Sequence, residues 1–202
     1  MTVTGFIGKA CMWPLRAIIR ACVALGIHPN TLTLVGVLIN VAAACALGVN
    51  RFLLAGVIMI VANIFDFIDG KVAREMGMES AFGGFWDSVM DRFSDLALFL
   101  GLVYLYSSVH RTDYVVITVM AMIFTVLTSY ARARAESVVA QCKVGFMERP
   151  ERIVLFMIGA FTNRMAGVLW VILVLSVLTV ANRIFYTWRE LERTKAPERV
   201  PV

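Results

Sequence analysis

Four aspartates stand in two closely spaced pairs, Asp66 with Asp69 and Asp87 with Asp91. Offsets of three and four residues put each pair on one face of a helix. The short connection at 75–82 predicts two antiparallel neighbouring helices whose acidic faces meet. Carboxylates close to hydrocarbon are costly and normally have a partner, and several like charges in one place repel unless cations lie between them. Hard oxygen donors suit Mg2+, Mn2+ or Ca2+ rather than zinc or copper. Two such ions about 4 Å apart would clamp a diphosphate. Gly70, Gly83 and Gly84 leave room for a helix or a bulky ligand to come close. Arg74 can supply charge to phosphate oxygens or to the carboxylates themselves. A purely structural reading competes with this one: Lys71, Arg74 and Arg92 could neutralise three of the four acids.

A second stretch with chemical potential runs from Ser129 to Arg152. Arg132, Arg134, Lys143, Arg149 and Arg152 fall within 21 residues at a helix end and the loop after it. They either record topology, because Lys and Arg are enriched on the cytoplasmic side, or form an anion site, for which guanidinium offers bidentate geometry.

The elements that carry these residues are apolar helices. Of the 202 residues, 60% are hydrophobic and mean hydropathy is +0.80, whereas a soluble domain is about 45–50% apolar. Residues 31–50 and 165–182 contain no charge. The chain therefore reads as an all-α integral membrane protein. Six spans are predicted, at 31–50, 52–75, 80–107, 113–136, 150–163 and 165–186, with Asn30 or Thr31 capping the first. The fifth is short for a span of about 20 residues. The turns at Asn50-Arg51, His110-Arg111 and Asn163-Arg164 carry one cation each, and the other Lys and Arg lie at the opposite turns and the termini. The positive-inside rule then puts both termini, residues 71–92 and residues 132–152 in the cytoplasm. The net charge of +5 is read as contact with anionic lipid headgroups rather than nucleic acid.

Residues 5–25 mix Phe6, Trp13, Ile18 and Leu25 with Lys9, Arg16 and Arg20. At about 100° per residue the three cations fall within roughly 40° of one another. This fits a helix lying in the membrane interface, started or kinked at Pro14, or an amphipathic helix packed on the bundle. Three parts follow: an N-terminal interfacial helix at 1–30, a six-helix catalytic domain at 31–190 and a cytoplasmic tail at 191–202. Cys11, Cys22, Cys45 and Cys142 lack metal-ligand spacing and read as small apolar residues. No signal-peptide pattern is visible at the start.

The aspartate stretch resembles the signature of the CDP-alcohol phosphotransferase family, D-x2-D-G-x2-A-R-x8-G-x3-D-x3-D. It matches at Asp66, Asp69, Gly70, Ala73, Arg74, Gly83, Asp87 and Asp91. The resemblance implies a six-helix membrane bundle with an N-terminal juxtamembrane helix, a homodimer, and two Mg2+ or Mn2+ ions. Asp66, Asp69, Asp87 and Asp91 would be the metal ligands and Asp91 also the general base. Asp66, Asp69, Gly70, Ala73, Arg74, Gly83 and Asp87 would form the CDP-lipid site. The Ser129–Arg152 stretch resembles the branch that uses inositol phosphate. That likeness implies Ser129, Arg132, Arg152 and Arg183 as contacts to the phosphate of a phosphorylated polyol acceptor. Arg132 stands where Lys is common. The expected activity is transfer of a phosphatidyl group from a CDP-diacylglycerol-type lipid to inositol phosphate with release of CMP, at a cytoplasm-facing site. Glycerol 3-phosphate as acceptor is the enzymatic alternative, and a divalent-cation transporter the non-enzymatic one. An aromatic prenyltransferase fits poorly, because its two acidic motifs lie in separate halves of a longer bundle.

Overall fold

The computed structural model describes residues 15–195, which form seven helices and no strand. They are α1 (15–24), α2 (Pro29–Gly48), α3 (Phe52–Glu75), α4 (Ala81–Ser108), α5 (Thr112–Ala135), α6 (Arg149–Phe161) and α7 (Met165–Lys195). The parts of the predicted N-terminal helix that carry Lys9, Trp13 and Pro14, together with Cys11 and the tail beyond 195, lie outside the described residues. The cap of α2 is His28 rather than Asn30 or Thr31: its Nδ1 accepts from the Asn30 N–H at 3.2 Å. Pro29 follows at the first helical turn, where no N–H is needed and φ is preset.

Three helical hairpins share one kind of turn. Asn50, His110 and Asn163 adopt positive φ of 61°, 56° and 54°. The N–H of the following arginine then reaches back to the carbonyl five residues earlier, Arg51 to Ala46, Arg111 to Tyr106 and Arg164 to Gly159, at 2.8–3.0 Å. This left-handed helix ending is open to Asn and His at modest cost. The hairpins α2–α3, α4–α5 and α6–α7 close into a ring in the order α2, α3, α6, α7, α5, α4. The expectation that α3 and α4 are direct neighbours fails: both pack on α2 and neither packs on the other. The space between them is a cavity of about 480 Å³ lined by residues of all three helices.

Most of the buried apolar residues, among them Leu47, Met59, Phe99, Phe156, Leu169 and Ile172, form one core. Outward-facing Leu38, Leu53, Leu100 and Val174 are exposed, which in water would be unfavourable and in hydrocarbon is not. Helices α2, α3, α5 and α7 are long and apolar enough to cross a membrane. A second cluster of Ile19, Cys22, Leu32, Ile68 and Val72 fixes α1 to α2 and α3.

At one point the α2–α4 contact has no tolerance. A Cβ on Gly101 would collide with the backbone of Ala44. Gly101→Ala is therefore expected to lower stability by about 1–3 kcal/mol, seen as a lower unfolding midpoint in detergent. Gly167→Ala adds a methyl where nothing lies within 4 Å and should not lower the midpoint. An unchanged midpoint for Gly101→Ala would contradict the close approach.

Candidate active site

The site grows out of two helix starts and one helix end. Near the C-terminal end of α3, Asp66, Asp69, Gly70, Ala73 and Arg74 face the large cavity. At the start of α4, Ser80 accepts from the Gly83 N–H at 3.0 Å, capping the helix. This sets Gly83 and Asp87 on the opposite wall of the same cavity. One oxygen each from Asp66, Asp69 and Asp87 lie within 4.8 Å of one another. Asp69 is 6% exposed and accepts a 2.6 Å hydrogen bond from Thr33 Oγ1, on α2. Three convergent carboxylates with a neutral hydroxyl behind them suit a hard divalent ion.

Asp91 lies one turn further along α4, outside that trio. Arg149 stands between: its Nη1 is 2.8 Å from Asp66 Oδ2 and 3.0 Å from Asp91 Oδ1. The cations offered by the sequence do not play this part. Arg74 donates to the Gly70 carbonyl and pairs with Glu79, Lys71 sits over the Phe67 ring, and Arg92 donates to the Ser88 carbonyl. Among the described residues none of these three forms an ion pair with a motif aspartate.

The start of α6 explains how Arg149 arrives. Pro150 occupies the first turn and Glu151 accepts from the Glu148 N–H at 3.1 Å, so the Glu148–Arg152 run is a helix start with its own cap. Arg149 and Arg152, three apart, then share a face. They line a second cavity of about 150 Å³ together with Asp91, Ser129, Arg132 and Arg183. All four predicted acceptor-site residues are thus gathered beside Asp91. Arg134 and Lys143 are exposed and do not line it.

The arginines of this cavity are held in place. Arg152 is 3% exposed, with Nη2 at 2.7 Å from Asp95 Oδ2, while its Nε has no partner. Arg183 donates to the Val144 carbonyl at 2.9 Å and to Glu148 at 3.1 Å. Arg132 reaches Glu148 at 2.9 Å and Glu136 at 3.2 Å. Gly145 lies at φ 107° with its α-carbon face against Thr179, which lets the 143–148 loop pass close to α7 and offer its carbonyl to Arg183. Five arginines and three acids line the cavity, an excess of two positive charges.

Sequence reasoning did not single out Thr33, Asp95 or Thr128, whose Oγ1 and carbonyl accept from Arg152 and Arg183, and it placed Glu148 and Arg149 in the basic stretch without the partners they take. Asp95 had a signal, since it continues the four-residue spacing of Asp87 and Asp91. Arg149 sits in the basic run but nothing local indicates that it reaches across to α3. Thr33 has no signal beyond lying on α2 near its cap.

The family model for CDP-alcohol phosphatidyltransferase matches residues 26–184. An archaetidylinositol phosphate synthase from Pyrococcus horikoshii is 34% identical over 89% of this chain and 93% of its own length. A phosphatidylinositol phosphate synthase from Mycobacterium tuberculosis is 32% identical over 85% of this chain and 84% of its own. The crystal structure of the Mycobacterium tuberculosis phosphatidylinositol phosphate synthase with CDP-DAG bound superposes with a TM-score of 0.80 at 27% identity, covering 93% of this chain and 98% of that one. Another crystal structure of that enzyme, in complex with manganese and citrate, gives the same TM-score and covers 92% of that chain. With every signature residue but Asp91 on one cavity, Asp91 on the next, and the match spanning nearly the whole bundle, the chain belongs to the CDP-alcohol phosphatidyltransferase family.

Proposed function

We propose that this chain is a membrane phospholipid synthase that transfers a phosphatidyl group from a CDP-diacylglycerol-type lipid to inositol phosphate, releasing CMP. The observation that carries this reading is the adjacency of two unlike cavities. One is large and bounded by carboxylates and glycines; the other is small, arginine-rich and carries an excess of two positive charges. Asp66 lines the large cavity, Asp91 and Arg149 line the small one, and Arg149 joins the two by pairing with both aspartates. The names of the relatives favour inositol phosphate over glycerol 3-phosphate, and the charge excess suits a phosphate dianion.

Asp66, Asp69, Asp87 and, after Arg149 moves, Asp91 would hold two Mg2+ or Mn2+ ions. Bound there, the ions neutralise the diphosphate and the charge on the departing CMP. Gly70, Ala73 and Gly83 let the nucleotide approach the backbone, and Arg74, which is exposed beside them, reaches phosphate oxygens. Ser129, Arg132, Arg152 and Arg183 hold the acceptor's own phosphate, which does not react, and so orient a hydroxyl toward Asp91. Asp91 takes the hydroxyl proton as that oxygen bonds to the lipid-bearing phosphorus. The bridging oxygen leaves on CMP with the electron pair of the broken P–O bond.

The setting belongs to the same proposal. Besides the four long apolar helices, α4 and α6 complete a six-span bundle. At 28 residues α4 extends about 42 Å, and its acids are confined to the first four turns. The shorter α6 relies on the preceding loop. Residues 1–30 form the interfacial segment, 31–190 the catalytic domain and 191–202 a tail. The site opens to the cytoplasm, and the chain works as a homodimer. The lateral opening of the large cavity keeps the donor's tails in hydrocarbon while its head reaches the carboxylates.

The direct test is an acceptor comparison with purified protein, CDP-diacylglycerol and Mg2+. CMP release is expected with inositol phosphate and to be weak with glycerol 3-phosphate, inositol or serine. Faster release with glycerol 3-phosphate would move the assignment to the phosphatidylglycerophosphate reaction.

Two variants separate roles. Asp91→Asn is expected to lose about 100-fold or more in turnover while CDP-lipid binding is largely kept; near-normal turnover would remove Asp91 as the base. Arg152→Ala leaves Asp95 buried without its partner and should cost about 3–5 kcal/mol of stability. The double variant Arg152→Ala with Asp95→Asn is expected to regain much of that stability but keep a raised KM for inositol phosphate, with a smaller change in the KM for CDP-lipid. If the double variant restored acceptor KM as well, Arg152 would be structural only.

A further inference from the structure

Among the described residues, Arg149 is the one cation paired with the motif aspartates. Its Nη1 lies 2.9 and 2.8 Å from the two oxygens of Asp66 and 3.0 Å from Asp91 Oδ1. The contact joins residues 83 apart in the chain. The arginine side chain is 21% exposed and that of Asp91 17%, so this charge group is poorly screened by water. Arg149 Nε is buried without a partner, which leaves one donor unused in this arrangement.

Asp66 has two demands on it. One of its oxygens belongs to the trio with Asp69 and Asp87, and both are hydrogen-bonded to Arg149. A divalent ion seated in the trio must share Asp66 with a guanidinium that repels it at a few ångström. At that range in a partly buried site the repulsion is large, so ion and guanidinium are competitors. Arg149 borders the arginine-rich cavity and a narrow crevice between α2, α3 and α4, but not the large carboxylate cavity. The crevice has only about 10 Å³ of free space. The arginine-rich cavity, with about 150 Å³, is the polar space that can take the displaced group.

We infer that Arg149 is the resident counter-cation of the acidic motif, displaced from Asp66 when a divalent ion binds and turned into the neighbouring cavity, where it adds to the binding of the acceptor's phosphate. This rests on the function proposed above. It makes the two sites communicate: an ion on the donor side raises anion affinity on the acceptor side, and by linkage an anion there raises ion affinity to the same degree. It also assigns Arg149, the first arginine of the Glu148–Arg152 run, a task different from that of Arg152, which Asp95 keeps in place.

The test uses the full-length protein in detergent and two probes, Mn2+ measured by the paramagnetic resonance of the free ion and radiolabelled sulfate by equilibrium dialysis. Arg149→Gln removes the competitor and is expected to bind Mn2+ roughly tenfold tighter or more, although its turnover falls. In the unsubstituted protein Mn2+ should tighten sulfate binding; in Arg149→Gln it should not. Should Arg149→Gln fail to give monodisperse protein, Arg149→Lys decides, since an ammonium keeps the charge but cannot span both carboxylates as well. Its Mn2+ affinity should rise by about threefold or more. Mn2+ affinity that is equal or weaker in the folded variant, or sulfate binding indifferent to Mn2+ in the unsubstituted protein, overturns the inference while leaving the proposed function standing. Absence of Mn2+ binding by the unsubstituted protein would overturn both.

Discussion

Carboxylates gathered at the edge of a hydrocarbon layer require positive charge among them, and the helices of this chain are arranged around that requirement. Asp66, Asp69 and Asp87 converge across a gap that no helix fills. Thr33 relieves part of the charge on Asp69 with a hydrogen bond, and Arg149 stands against Asp66 and Asp91. A cluster of this kind would pull itself apart in an empty, dry site. It is tolerable because the cavity beside it is large enough for a polar ligand and because a guanidinium is already present.

The ring of helices keeps that gap open. Helix α2 is the common partner of α3 and α4, so its contacts rather than a direct α3–α4 seam set the distance between the acid pairs. At the apolar end of the bundle Gly101 brings α4 against Ala44 of α2, with the core around Leu47, Phe99 and Leu102 packed beside it. Gly36 plays a milder version of this part where α2 meets Phe65 of α3. Close packing at one end and a cavity at the other follow from where the small residues fall. The opposing cavity is held by a different device, ion pairs: the half-exposed Glu148 with Arg132 and Arg183, and the buried pair of Asp95 with Arg152. Such pairs add little net stability but strongly penalise the loss of one partner, so they fix geometry more than they strengthen the fold.

What could be read in the sequence was whatever is encoded locally. The spacing of Asp66, Asp69, Asp87 and Asp91 placed each pair on one helix face, the apolar runs gave the first five of six helices to within two residues while the last runs nine residues further, to Lys195, and Arg132 and Arg152 of the basic stretch share a cavity. What depended on the chain meeting itself was not legible. The separation of α3 from α4 arises because α2 takes the place between them, and a short connection cannot reveal that. Arg149 could not be matched to Asp66 because the two are far apart in sequence and neither spacing nor residue type selects the partner. The His28 cap was missed because Asn and Thr are better caps on average, whereas here α2 starts at Pro29, two residues earlier than expected.

The claim beneath all of this is that the gap between α3 and α4 is a divalent-cation site. The most direct measurement is anomalous diffraction from crystals of this protein grown with Mn2+ and a CDP-lipid. The account predicts manganese peaks in that gap within coordination distance of Asp66, Asp69 and Asp87, with Arg149 no longer on Asp66. Ordered CDP-lipid with no manganese in the gap, and Arg149 still bridging Asp66 and Asp91, would contradict it.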